Sequence, residues 1–97
     1  MIPDKNTILE TLGEISPVLR EKYGVTRIGI FGSVARNQGG PDSDVDIVVE
    51  MHPDLLKRAL LKEDLESLLG HKVDVVRYRP GMNKFLKKRI DNEGHYV

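Results

Sequence analysis

Two short apolar runs, Ile28 to Phe31 and Ile47 to Val49, bracket a polar stretch that reads GSVARNQGGPDSDVD from Gly32 to Asp46. The stretch opens on a Gly-Ser pair, runs through ten further residues and closes on an Asp-x-Asp at Asp44 and Asp46. Apolar runs this short, bounded by turn residues, favour strands. The chain is thereby constrained to place a tight turn between two strands, with two carboxylates at the start of the second.

The 97 residues suit one domain, read here as residues 1–97. A chain of this size buries a real core with little surplus stability. The absence of cysteine excludes a disulfide framework and a cysteine-ligated zinc site, and it fits a reducing cytoplasm. No apolar run is long enough to span a membrane. The N-terminus, with Asp4 and Lys5 and no apolar segment, does not read as a signal peptide. A net charge of zero gives no overall pull toward nucleic acid. The halves differ, however: residues 1–50 carry a net charge of −3 and residues 51–97 a net charge of +3.

Along the chain, Ile8, Leu12, Ile15 and Leu19 recur at helical spacing, which predicts a helix from Thr7 to about Tyr23. Thr7 and Glu10 form a candidate capping box, and Pro17 predicts a kink or a break into two short helices. Strands are expected over Val25–Phe31, Asp44–Met51 and Lys72–Tyr78, with one helical turn from Ser33 to Arg36 and a loop from Asn37 to Ser43. Asp54 is a candidate N-cap for a helix from Leu55 to Leu69, closed by Gly70. Leu61, Leu65, Leu68 and Leu69 form its apolar stripe, with Lys62, Glu63, Glu66 and Ser67 opposite. A basic helix follows from Met82 to about Asn92, and Tyr96 lies in an expected frayed tail. The order α-β-(short α)-β-α-β-α predicts an α/β domain, a small sheet covered by helices.

The polar stretch carries the chemistry. Side chains two apart in a strand share a face, so Asp44 and Asp46 can converge on one point while Val45 faces away. Two such carboxylates repel, which raises the pKa of one or draws in a cation; with oxygen ligands alone, magnesium fits. An isolated Asp-x-Asp is more commonly a structural turn. A glycine at a strand end allows close approach of a ligand, and a helix start after it offers N–H groups to an anion. The Ser33 hydroxyl adds a donor, and Arg36 lies on the same side. Each signal is weak alone, and their strength is the combination. Asp74 sits in a valine run, where an unpaired charge is costly to bury. If its strand adjoins that of Asp46, a three-carboxylate cluster results.

Gly-Ser, ten residues, Asp-x-Asp and a later strand Asp together resemble the signature of the polymerase-beta-like nucleotidyltransferase superfamily. Within it, YGVTRIGIFGSVAR, SDVDIVVE and LLGHKVDVV look like the minimal nucleotidyltransferase (MNT) domains. The resemblance covers nearly the whole chain and implies a small mixed sheet flanked by helices. It also implies that Gly32 and Ser33 hold a nucleoside triphosphate, with Arg36 beside them. Asp44, Asp46 and Asp74 would be catalytic and bind two Mg2+ ions, with Asp74 also activating the acceptor hydroxyl. Asn37 departs from the pattern, which often has glycine there. ATP is the implied substrate and AMP the transferred group. The implied partner is a helical HEPN toxin, an RNase neutralised by its MNT antitoxin.

Two alternatives stand beside that reading: an antitoxin that acts by contact alone, and a catalytic subunit that modifies a small molecule or an RNA end. Three carboxylates favour catalysis over contact alone. Few aromatic side chains are available to stack on bases, which argues against direct nucleic-acid binding. Lys84, Lys87, Lys88 and Arg89 read first as a solvated basic face, with contact to an acidic partner or to RNA-bound toxin as the alternative. His52, His71 and His95 receive no catalytic role.

Overall fold

The computed structural model describes residues 3–97. Met1 and Ile2, part of the expected 1–97 domain, lie outside the described residues. The elements are α1 (Lys5–Tyr23), β1 (Arg27–Phe31), α2 (Gly32–Ala35), β2 (Val45–Glu50), α3 (Leu55–Leu69), β3 (Val73–Arg77), α4 (Lys84–Glu93) and β4 (His95–Tyr96). The strands form one sheet in the order β3-β2-β1-β4. β1 runs antiparallel to β2 and β4, whereas β2 and β3 are parallel, so the sheet is mixed, as expected. The parallel pair needs a crossover, and α3 supplies it.

Alternation along the strands sorts the core into two layers. Val45, Ile47 and Val49 of β2 join Ile8, Leu12 and Leu19 of α1 and Leu61 and Leu65 of α3 on one face. Val48 joins Phe31, Met82 and Ile90 on the other, under α4. Because β2 is covered on both sides, its run of branched aliphatics is buried throughout. Among the described residues no helix is long and apolar enough to cross a membrane.

Several expectations change. Thr7 is not the first cap: Asp4 caps α1, its carboxylate accepting from the Thr7 backbone N–H at 2.9 Å and from the Thr7 hydroxyl at 2.8 Å. A carboxylate competes well for this place. α1 is not divided at Pro17. Ile8 and Leu12 before the proline and Leu19 after it all pack on the same sheet face, and this holds the helix continuous. Leu68 belongs to no buried stripe, being 54% exposed. Glu66 does not face outward: its carboxylate accepts the Val73 backbone N–H at 3.0 Å in a part-buried contact. This ties the end of α3 to the start of β3.

The C-terminal tail also differs. His95 and Tyr96 are not frayed but pair with Ile30 and Gly29 of β1. The Arg27 guanidinium lies 3.7 Å from the Tyr96 ring centroid, a cation–π contact that covers the new edge. Gly29 permits the approach, since a Cβ there would overlap the His95 carbonyl. Two residues with no apolar alternation give no periodic signal, which is why the strand was not legible.

Candidate active site

The site forms where β1 ends and β2 begins. Antiparallel pairing sets Phe31 opposite Asp46, so Gly32 and Ser33 follow directly beside the Asp46 carboxylate. Gly32 has φ 76, in the left-handed region, and a Cβ on it would run into the Asp46 carboxylate. Both the turn and the close approach therefore require glycine. The chain then enters α2, whose first turn offers N–H groups without intrahelical partners. At the end of this turn Asn37 takes φ 59, a left-handed conformation that asparagine tolerates better than most residues and that suits the glycine often found there in the resembled pattern.

The parallel register sets Asp46 beside Asp74, at the inter-strand spacing of about 5 Å between backbones. By strand alternation both side chains lie on the α4 face, with Val48 and Val76 next along. The Asp46 carboxyl is held above the usual carboxylate range. Burial is the largest cause and Asp74 the next; Asp44 adds to the shift, while Arg89 and Arg36 oppose it. The expected repulsion between carboxylates is thus present, and it falls on Asp46.

Asp44 sits one residue before β2 and is exposed, as is Asp74. The expected convergence of Asp44, Asp46 and Asp74 is therefore looser than strand geometry for Asp44 implied. Among the described residues, no three His, Cys, Asp or Glu side chains stand close enough to hold a metal ion. What the fold assembles is an Asp46–Asp74 pair, with Asp44 at the rim. Asp44 also lines a cavity of about 360 Å3 together with Ser43, His71 and Lys72.

Arg36 reaches the site from the end of α2. Its guanidinium donates to Glu93 of α4 at 2.8 Å and to the Gln38 amide oxygen at 3.1 Å. The pairing with Glu93 clamps α2 against α4. Arg89 is exposed, as expected of a solvated basic face, and its guanidinium lies 5.9 Å from the Phe31 ring centroid, on the side from which it opposes the rise of the Asp46 pKa. Its influence on Asp46, 43 residues earlier in the chain, has no sequence signal beyond membership of a basic helix.

The fold thus brings a Gly-Ser turn onto the half-buried Asp46, with Asp74 on the adjacent parallel strand. The chain belongs to the nucleotidyltransferase domain family, whose model matches residues 12–97. It is a minimal nucleotidyltransferase domain, similar to the antitoxins of HEPN/MNT pairs. The protein adenylyltransferase MntA of Thermococcus cleftensis is 42% identical over 96 residues, covering 90% of this chain and 96% of that one. The fold also matches a toxin–antitoxin solved with AMP-PNP, at 28% identity and a TM-score of 0.72, over 87% of this chain and 69% of that one. A third match is the complex of tri-AMPylated Shewanella oneidensis HEPN toxin with MNT antitoxin. Identity there is 25% and the TM-score 0.67, over 92% of this chain and 70% of that one.

Proposed function

We propose that this chain transfers AMP from ATP to a hydroxyl of a HEPN-type partner protein and so serves as the antitoxin of a cytoplasmic toxin–antitoxin pair. The observation that carries the reading is Asp46, crowded by Asp74 and closed in by Gly32, at the head of the Gly-Ser turn. The likeness to MntA supports a protein as the acceptor, and the AMP-PNP complex of a similar protein supports ATP.

In this reading Gly32, Ser33 and the first N–H groups of α2 hold the triphosphate, and Arg36 turns from Glu93 to a phosphate oxygen. The acceptor oxygen bonds to the α-phosphorus as the bond from that phosphorus to the bridging oxygen breaks. Pyrophosphate leaves with that electron pair. Asp74, exposed beside Asp46, takes the acceptor proton. The protein contributes position and charge rather than a covalent intermediate.

The donor set at Asp44, Asp46 and Asp74 is all carboxylate oxygen, and the Asp46 pKa is raised first by burial and then by Asp74, with Arg89 and Arg36 opposing the rise only in part. The Asp46–Asp74 pair, completed by phosphate oxygens and by Asp44 from the rim, would hold Mg2+, which would neutralise the acids and polarise phosphate oxygens when bound; two ions are what the resemblance implies. Attached AMP adds negative charge and bulk near a nuclease site.

The test is neutralisation of the HEPN-type protein's RNase activity by wild-type, Asp44→Ala and Asp46→Ala chains. Loss of neutralisation in both variants, with binding retained, supports transfer. Neutralisation that survives both substitutions would establish the contact-only alternative.

A further inference from the structure

At the end of the sheet remote from the site, Arg58, Arg77 and Arg79 line one cavity of about 300 Å3 with Asp54 and Leu55. Arg77 closes β3 three residues beyond Asp74, roughly 10 Å along the strand. Its Nε donates to the Met51 carbonyl at 3.1 Å, which fixes the guanidinium and leaves its other N–H groups for a ligand. Arg58 and Arg77 are half-buried and Arg79 is exposed. Among the described residues none of the three makes an ion pair. Asp54 is the one acid of the cavity, and its carboxylate is engaged by the Lys57 backbone N–H at 2.9 Å. The neighbouring cavity contains Glu50, whose carboxylate pairs with Arg27 instead.

Three guanidiniums around one cavity repel, and partial burial strengthens the repulsion. An incoming anion would relieve it. The same corner exposes two leucines at the start of α3, Leu55 at 76% and Leu56 at 71%. A free phosphate or an RNA backbone would satisfy the arginines and leave the leucines in water. A polypeptide surface carrying carboxylates beside apolar side chains satisfies both. Arginine with flanking apolar groups is the composition of protein interfaces, and planar guanidinium pairs well with carboxylate.

From this complementarity we infer that Arg58, Arg77, Arg79, Leu55 and Leu56 form a docking surface for an acidic, apolar face of the acceptor protein, distinct from the transfer site. The inference rests on the protein-acceptor reading above. Docking at the far end of the sheet holds the acceptor by contacts that do not change during transfer, so the surface sets affinity rather than the rate of the chemical step.

The test measures binding of the HEPN-type acceptor by calorimetry at low and high salt. Wild type is compared with an Arg58→Glu/Arg79→Glu double variant and with Leu55→Asp; the exposed Arg79 and Leu55 positions leave folding intact, checked by thermal melts. The expected result is at least about a tenfold loss of affinity in both variants, with the double variant also losing salt dependence. AMP transfer at saturating acceptor remains at the wild-type rate. Unchanged affinity in both variants overturns the docking surface alone. Displacement of the acceptor by inorganic phosphate or by an RNA oligonucleotide at matched ionic strength also overturns it, in favour of a phosphate site. If the wild-type chain fails to bind the acceptor at all, both the docking surface and the protein-acceptor reading fall.

Discussion

At the scale of single residues, the site is held by a steric fit between Gly32 and Asp46. Gly32→Ala would place a methyl group against the Asp46 carboxylate on a backbone already at φ 76. The expected cost is about 1–3 kcal/mol in urea unfolding, together with loss of transfer. Asp46 itself is a strained group. Its pKa is raised first by burial and then by Asp74, so its charge opposes folding. The folded state holds the proton more tightly than the unfolded chain, so Asp46's contribution weakens stability as pH rises from its unfolded value toward its folded one. That loss persists at neutral pH. Asp46→Asn should therefore abolish transfer and raise neutral-pH stability, by no more than about 1 kcal/mol because solvent screens a half-exposed carboxylate. Below the unfolded value of about 4 the variant's advantage should vanish in the same urea titration. Asp4, Asp64 and Asp91 behave oppositely. Hydrogen bonds from Thr7, from Tyr23 and from the Lys87 ammonium, respectively, are the largest influences lowering their pKa values, so what they contribute is lost only at still lower pH.

At the scale of elements, α3 is the part that delivers Asp74. Leu61 and Leu65 are fully buried, and Glu66 fastens the backbone of Val73. Leu65→Ala should cost about 2–5 kcal/mol by thermal melt, whereas Leu56→Ala in the free chain should change stability by less than about 0.5 kcal/mol. Glu66→Ala should cost about 1–2 kcal/mol and lower the transfer rate through a displaced Asp74. The bounds of α3 were legible because Asp54, the leucine spacing and Gly70 all point to the same helix. The central strands were legible for a similar reason: each is an apolar run bounded by turns. Glu66 was not, because the helical pattern shows which side is polar, not which carboxylate reaches a backbone N–H in the next strand. β4 was hidden because its evidence is the absence of a side chain at Gly29, 66 residues before His95. The influence of Arg89 on Asp46 was hidden for the same long-range reason, since it appears only once α4 lies over the sheet.

For the whole molecule, the site and the arginine corner occupy opposite ends of a small sheet, joined by β3. In the proposed reading the acceptor is a separate protein, modified at one end of the sheet and held at the other. The family, the mixed sheet and the pairing of Asp46 with Asp74 follow the resemblance carried by the Gly-Ser and Asp-x-Asp spacing. The looser position of Asp44 does not, because it depends on where hydrogen bonding of β2 begins. The central claim is nucleotidyl transfer at Asp46, and its most direct measurement is label transfer to the HEPN-type protein from ATP labelled at the α- or the γ-phosphate. The predicted result is covalent label on the partner from α-labelled ATP alone, with release of pyrophosphate, and none with the folded Asp46→Asn chain. Label arriving from the γ-phosphate, or α-label transferred equally by Asp46→Asn, would contradict it.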